Sequence, residues 1–495
     1  MACVRIPLAL AILITGAPAA AQVADGVPVA MSFDAAVQTL DRTSPGLSGA
    51  DHEVRASQAT ADALKALRRP VVSASASFIE YQKTLSIDLS ATKSELGTAT
   101  TDFLAGLPGQ FPAGYQQIVA EVTQRIGTAL PGLLSAIPDS LQFQTRDSAF
   151  RPTLTAAMPL YTGGAIPAIQ GGAQAAVGIA RATQAEGLNV ARLNLVRAYF
   201  GQQVAEQLAG SARQTRDGLD RHFADARKLE QQGILARANV LQVQVARDAA
   251  QRAFERADLE YATARDTLAR LLEVETGVRP TTALFVNAAP LPPVTTFLAT
   301  IDDHPRARGA DAARGVASAG VDLARSRYRP QAFAFGEYNA NRNDALPTEP
   351  DWIAGVAVRY TLLSNVDRRR TLDAAHEHER AAADAAAEIR KTIAGETVRA
   401  YDLVEIARRS FLSLDSSIAA ATENLRVQEV SFREGEASSA AVIDAQAALA
   451  TARTQRIAAA YEYDLALAGL LVSSNQLDSF GGYLQRAEHR LAPTP

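Results

Sequence analysis

The chain has 495 residues, with 49 Lys and Arg against 53 Asp and Glu. That near balance leaves no net basic face of the kind a nucleic-acid partner requires. Aromatic residues are scarce at 6% and alanine is abundant, the usual mix for long helices packed through small side chains.

Residues 1–21 read as a separate object. Arg5 gives a short positive end, Ile6 to Ile14 an apolar run, and Ala19-Ala20-Ala21 a small-residue cleavage site, the pattern of a secretory signal peptide. The single cysteine, Cys3, falls inside it, so neither a disulfide nor an N-terminal lipid anchor is expected in the mature chain. No later run of eighteen apolar residues suggests a membrane-spanning helix. Export then leaves three options: a soluble periplasmic protein, a secreted one, or an outer-membrane β-barrel.

A helix is predicted over 32–68, interrupted at Pro45-Gly46 and ended by Pro70, which pushes the preceding residue out of helical backbone. Residues 71–81 alternate small or polar with apolar side chains, as strands do. Residues 82–150, rich in Thr, Ser, Gly and Pro, read as a long loop with local helix, a short amphipathic piece near Ile118–Ile126. A second strand is predicted at 152–161, with Leu154, Ala156, Met158 and Leu160 on one face and Thr153, Thr155 and Ala157 on the other. From Ala168 to Glu230 the pattern is helical without proline; at ~1.5 Å per residue it makes a rod of roughly 90–100 Å. Gly233 breaks it, and a second helix runs from Ala236 to Leu272. The proline-rich stretch 281–297 reads as irregular, and a shorter helix follows over 306–327.

Then the chain repeats. Val196-Arg197-Ala198-Tyr199 recurs as Val398-Arg399-Ala400-Tyr401, 202 residues on, and Gly233, Val240, Tyr261 and Leu268 recur at the same offset as Gly435, Val442, Tyr463 and Leu470. Pro45 and Pro70 recur as Pro305 and Pro330, 260 residues on. The change in offset means that the first copy carries 58 extra residues between its strands, within 82–150; such insertions favour exposed loop tips. Strands are predicted again at 331–339 and 352–362, the latter placing Trp352, Ala354, Val356, Val358 and Tyr360 on one face and Arg359 on the other. The units are thus 1–21 (signal), 22–280 (first repeat, tip at 233), 281–475 (second repeat, tip at 435) and 476–495 (tail). All four strands should lie at one end of long antiparallel helical hairpins. Four strands cannot close a barrel, and open sheet edges do not survive in lipid, so subunits must pool them; three chains supply twelve.

This pattern resembles the TolC-type outer-membrane efflux proteins. The residues that carry the resemblance are the duplicated Arg68-Arg69-Pro70 and Arg327-Tyr328-Arg329-Pro330, the turn Pro159-Leu160-Tyr161-Thr162-Gly163-Gly164, and the tip segments Gln232 to Gln242 and Glu434 to Asp444. The resemblance implies an α+β membrane protein, a homotrimer with a twelve-stranded outer-membrane β-barrel above a helical tunnel, or α-barrel, in the periplasm. It implies an exit duct, not an enzyme, opened through a periplasmic adaptor for an inner-membrane pump. In contact with outer-membrane lipid, it needs neither nucleic acid nor cofactor.

Function is expected at the tips. Gly233, Arg237, Gly435, Ser438 and Ser439 are the candidate adaptor contacts, against the plainer reading that the glycines merely supply a positive φ. Asp444 falls where the resemblance implies an acidic ring at the periplasmic aperture, with Gln242 at the matching position of the first copy; the plain alternative is a solvated helix face. His376-Glu377-His378-Glu379 is no expected metal site, because residues two apart on a helix diverge. Leu363-Ser364-Asn365-Val366 departs from the family turn by lacking its glycines. A periplasmic coiled-coil scaffold without a pore is the competing reading.

Overall fold

The computed structural model describes residues 27–82, 87–88, 119–123, 125, 140–141, 146–341 and 350–491. The expected signal peptide at 1–21 and most of 82–150 lie outside them.

The first half runs β1 (Val29–Met31), α1 (Phe33–Thr43), α2 (Pro45–Lys65), β2 (Val71–Gln82), β3 (Ile87–Asp88), β4 (Ser140–Leu141), β5 (Arg146–Tyr161), α3 (Ala165–Gln231) and α4 (Arg237–Leu271). Ser44 divides α1 from α2, its side chain capping the second helix and Pro45 opening it, the place where a helix tolerates proline. The second half runs β6 (Val278–Pro280), β7 (Leu284–Val286), α5 (Val294–Leu298), α6 (Pro305–Ser326), β8 (Gln331–Asn339), β9 (Trp352–Arg359), α7 (Arg368–Arg433), α8 (Ser439–Ser473), α9 (Phe480–Gln485) and β10 (His489–Leu491).

Two rods set the scale. α3 has 67 residues and α7 has 66, each about 100 Å long at ~1.5 Å per residue. α4 and α8 run back against the tip halves of these rods, while α2 and α6 flank α3 over its strand-side half. α3 and α6 approach through small residues: a Cβ at Gly178 would stand 3.0 Å from that of Ala312. This contact uses the alanine-rich composition directly.

β2, β5, β8 and β9 form one antiparallel sheet in that order. β2 pairs with β5 from Val71↔Ala157 to Gln82↔Arg146, β5 with β8 around Thr155↔Glu337, and β8 with β9 from Gln331↔Arg359 to Tyr338↔Trp352. The β5–β8 register slips between Pro159 and Tyr161, where proline has no N–H to give the ladder. β5 starts six residues before the expected strand, so the first hairpin arm is the longer one.

Midway along the rods lies a waist that local periodicity did not announce. β1 pairs in parallel with β6, and β7 pairs antiparallel with β10. The stretch 281–297, expected to be irregular, thus supplies a strand and the short helix α5, and the expected tail folds back as α9 and β10. The waist core joins Phe33, Tyr199, Phe200, Phe285 and Phe480, with ring centroids 5.2–6.2 Å apart. The buried Tyr199 hydroxyl donates to Met31 O at 2.7 Å and accepts from the Thr281 and Thr282 amides. Gln202 and Gln203 donate to the carbonyls of Val278 and Pro280. Side chains of the rod therefore satisfy backbone groups the short strands leave unpaired.

The local helix expected near Ile118–Ile126 is present, but it does not sit at an exposed tip. Residues 119–123 and 125 are helical, and Val119 and Val122 are buried among Ala61, Leu64, Ala165, Ala168, Ile169 and Leu323. These neighbours belong to the junction of strands and helices, not to the far end of the hairpin. Apolar spacing within the piece, not its surroundings in sequence, decides where it packs.

Candidate functional site

The two tips are built alike. After α3, the Gly233 N–H bonds to Glu230 O and the Ile234 N–H to Leu229 O, both at 2.9 Å. After α7, the Gly435 N–H bonds to Phe432 O at 3.1 Å and the Glu436 N–H to Ser431 O at 2.8 Å. Each is a helix C-terminus closed by a left-handed residue, with φ of +74° at Gly233 and +80° at Gly435. Both glycines do supply a positive φ. No atom lies within 4 Å of a Cβ added at either, so their cost to another residue would be conformational alone.

The helices leaving the tips differ. Ser438 caps α8, its hydroxyl accepting from the Ala441 N–H at 3.2 Å, whereas α4 begins at Ala236 without a side-chain cap. Ser438→Ala should therefore destabilise the second tip by about 1 kcal/mol, and Ala236→Ser should firm the first. Amide hydrogen exchange at the first turn of α8 and of α4 reads both; unchanged exchange in both variants would contradict the capping assignment.

Gly233, Arg237, Gly435 and Ser438 are exposed on the single chain, and so are Asp444 and Gln242. Ser439 is not: it is 1% exposed, because its place in the first turn of α8 turns it inward. The expected surface contact at that position is withdrawn; a partner meeting this tip meets Ser438 instead.

Beneath the turns, Ala226, Val240, Val243, Phe432 and Val442 form a closed apolar cluster. It holds the first hairpin against the second, with Val240 and Val442 the equivalent residues of the two copies. His222, which sequence reasoning passed over, packs edge-on against Phe432 at 4.5 Å. Burial lowers its pKa from the usual 6.5, so the ring is neutral at pH 7. Its only signal in the sequence is a break in the repeat, since the matching position is Asn424. Above this cluster, Asp217, Asp220, Arg221, Arg426, Glu429 and Arg453 line a charged groove of about 660 Å³ between α3, α7 and α8. Arg247 pairs with Asp220 at 2.6 Å across α3 and α4, tying the first hairpin together.

At the other end, the sheet has two chemically distinct faces. Val72, Phe78, Leu154, Trp352, Val356 and Val358 share the open face. Ser73, Ser75, Thr153, Thr155, Glu337 and Arg359 share the opposite one, where Ser73 and Thr155 hydroxyls bond at 2.7 Å and those of Ser75 and Thr153 at 3.1 Å. An apolar outer and polar inner face is the division a membrane barrel requires. Among the described residues no helix is long and apolar enough to cross a membrane.

Comparison with known proteins agrees with this geometry. Residues 300–476 match the family of outer membrane efflux proteins; no curated protein matches the sequence. Among solved structures, CusC, which forms a transmembrane channel, is 14% identical with a TM-score of 0.69, covering 90% of this chain and 92% of its own. The outer membrane protein VceC of Vibrio cholerae is 13% identical with a TM-score of 0.68, over 89% of this chain and 95% of its own. The open state of the Neisseria gonorrhoeae MtrE outer membrane channel is 15% identical with a TM-score of 0.66, over 90% of this chain and 89% of its own. At such identities these likenesses speak for the fold. In sequence over residues 300–476, and in fold over about nine-tenths of its length, the chain resembles the TolC-type outer-membrane efflux proteins.

Proposed function

We propose that the chain is the exit duct of a tripartite efflux or type I secretion system, working as a homotrimer in the outer membrane with a periplasmic extension. The observation that carries this reading is the four-stranded sheet with an apolar outer face and, among the described residues, an unshared edge on both β2 and β9. Such edges cannot face lipid, and pairing β2 of one chain with β9 of the next closes twelve strands around a pore. The two rods of about 100 Å then continue the pore into the periplasm. The tips, with Arg237 and Ser438 exposed on them, are where a periplasmic adaptor docks, and an inner-membrane pump supplies the energy and the choice of cargo.

Fractionation with the outer membrane and single-channel conductance from purified protein test the duct. A soluble, non-conducting protein would remove it and leave the coiled-coil scaffold.

Asp444 tests the aperture. Three exposed carboxylates around one axis would hold a divalent cation, since such ions take oxygen ligands. Asp444→Ala should then raise conductance about two-fold and remove its block by divalent cations. Unaltered conductance and unaltered block would make Asp444 a solvated surface residue. Gln242→Ala, lacking a charge to lose, should change little.

A further inference from the structure

We infer that the seams between subunits, at the strand–helix junction, bind acidic phospholipid headgroups of the leaflet that faces the periplasm. Arg68 and Arg69 of one copy and Arg369 and Arg370 of the next form each site. The inference rests on the duct reading and adds a partner that holds the subunits together.

The charge comes first. Residues 65–70, 325–330 and 361–370 join helix to strand and hold nine basic residues and one acid, Asp367, in a chain whose net charge is −4. Some of these cations serve the fold. Arg327 pairs with Glu121, and Arg368 donates to the carbonyls of Arg327, Thr361 and Leu362. Arg68, Arg69 and Arg369 are exposed and have no ion pair among the described residues. Arg370 meets Asp367 at 3.5 Å, but that carboxylate already caps α7 by accepting from the Arg369 and Arg370 amides.

Topology then brings the free cations together. β2 leaves the junction at Val71 and β9 returns to it at Arg359, and among the described residues both are edges of the sheet. Arg68 and Arg69 stand just before β2. Arg369 and Arg370 follow β9 by a loop that the Arg368 bonds fold back on Thr361 and Leu362. Pairing β2 of one chain with β9 of the next sets the two arginine pairs side by side. Like charges so placed oppose association, and an anion between them relieves it.

The level in the membrane selects the anion. Trp352 and Tyr360 lie eight residues apart on the outer face, roughly 26 Å at ~3.3 Å per residue, or about 20 Å of height in strands tilted as barrels require. An apolar band about 25 Å tall therefore ends near Leu362 and Leu363, which are 77% and 93% exposed. The arginines follow at the depth of the headgroups. Guanidinium matches phosphate through two parallel N–H···O bonds, and basic groups beside an apolar anchor are drawn to an acidic membrane surface. A soluble phosphate would use the arginines and leave the leucines bare.

The test reads trimer by chemical cross-linking of the full chain during heating. The chain is reconstituted in phosphatidylcholine vesicles, or in vesicles with about a third of that lipid replaced by phosphatidylglycerol. Near the dissociation midpoint the acidic vesicles should hold at least about ten-fold more trimer; equal amounts would overturn the site. Arg68→Gln, Arg69→Gln, Arg369→Gln and Arg370→Gln combined should abolish that difference and, with the repulsion gone, match or exceed the parent in phosphatidylcholine. In case that variant does not assemble, Arg369→Glu with Arg370→Glu gives a second reading. Its acids face Arg68 and Arg69 across the seam, so it should hold trimer in phosphatidylcholine as the acidic lipid does for the parent; no gain there would overturn the inference. Inorganic phosphate added to neutral vesicles, against chloride of equal ionic strength, separates a free anion from a headgroup, and full rescue by phosphate would overturn the lipid assignment. A chain that stays monomeric in every lipid would refute the duct reading itself.

Discussion

Replacing Gly163 with valine is expected to impair sharply the assembly of the sheet end of the protein. Gly163 stands in the turn that carries β5 into α3, with φ of +68°. A Cβ there would lie 2.6 Å from the Ser326 carbonyl oxygen and 3.0 Å from the Arg329 Cβ, and a backbone oxygen at the end of α6 cannot swing aside as a side-chain tip does. The left-handed backbone costs an L-residue roughly 1–2 kcal/mol and the overlap about 1–3 kcal/mol more. Together, at about 2–5 kcal/mol, these are a large fraction of a stability at the low end of the typical range of about 5–15 kcal/mol. The equivalent turn after β9 is the control. Leu363-Ser364-Asn365-Val366 contains no positive φ, so Asn365→Val should assemble normally. The measurement is the amount of folded chain recovered in the membrane fraction, with the denaturation midpoint of what is recovered. Normal recovery of Gly163→Val would show that the turn relaxes and that the close approach of α3 to α6 is not obligatory.

The contrast between those two turns shows what was legible in the sequence. Missing glycines at 363–366 marked a difference but not its remedy, which is a set of side-chain bonds, one of them reaching back to the end of α6. Asp367 caps α7 by accepting from the Arg369 and Arg370 amides, and Arg368 donates to the carbonyls of Arg327, Thr361 and Leu362. The rods, the tips and the alternating strands were all readable because each is written in a local period or a local turn. The waist was not, because β1 finds β6 and β7 finds β10 across about 200 residues or more, and three-residue strands have no period to read. The helical piece at 119–123 and 125 was visible as an amphipathic stretch, yet its address depends on Leu64, Ile169 and Leu323, which lie on three separate helices. At the candidate site the exposed residues were found by motif. Ser439 was misplaced because helix phase, not proximity to the turn, decides which side chain faces out.

The two repeats also part company at a buried acid, and here the expected effect is a pH dependence. Tyr261-Ala262 and Tyr463-Asp464 occupy matching positions of the two copies. Ala262 is exposed, whereas Asp464 is fully buried where α8 passes the waist. One carboxylate oxygen accepts from the Phe285 N–H at 3.4 Å, and the other has no partner among the described residues. Burial outweighs that single bond and pushes the carboxyl well above its ordinary pKa of 3.8. The folded chain therefore holds a proton that the unfolded chain gives up. The stability this contributes is full below about pH 4 and is lost as pH rises through the raised folded value, at about 1.4 kcal/mol per pH unit within that window. Asp464→Asn keeps an acceptor for Phe285 but cannot ionise, so its stability should be flatter with pH and should exceed that of the parent at pH 8. Asp464→Ala, which installs the residue of the first copy, cannot ionise either but removes the acceptor, so it should lie about 1–3 kcal/mol below the Asn variant at every pH by leaving a buried N–H bare. Denaturation midpoints from pH 4 to pH 8 distinguish the three chains. An Asn variant that lost stability with rising pH as steeply as the parent would show that Asp464 is solvated or paired in the assembled protein, and would move the origin of the slope elsewhere.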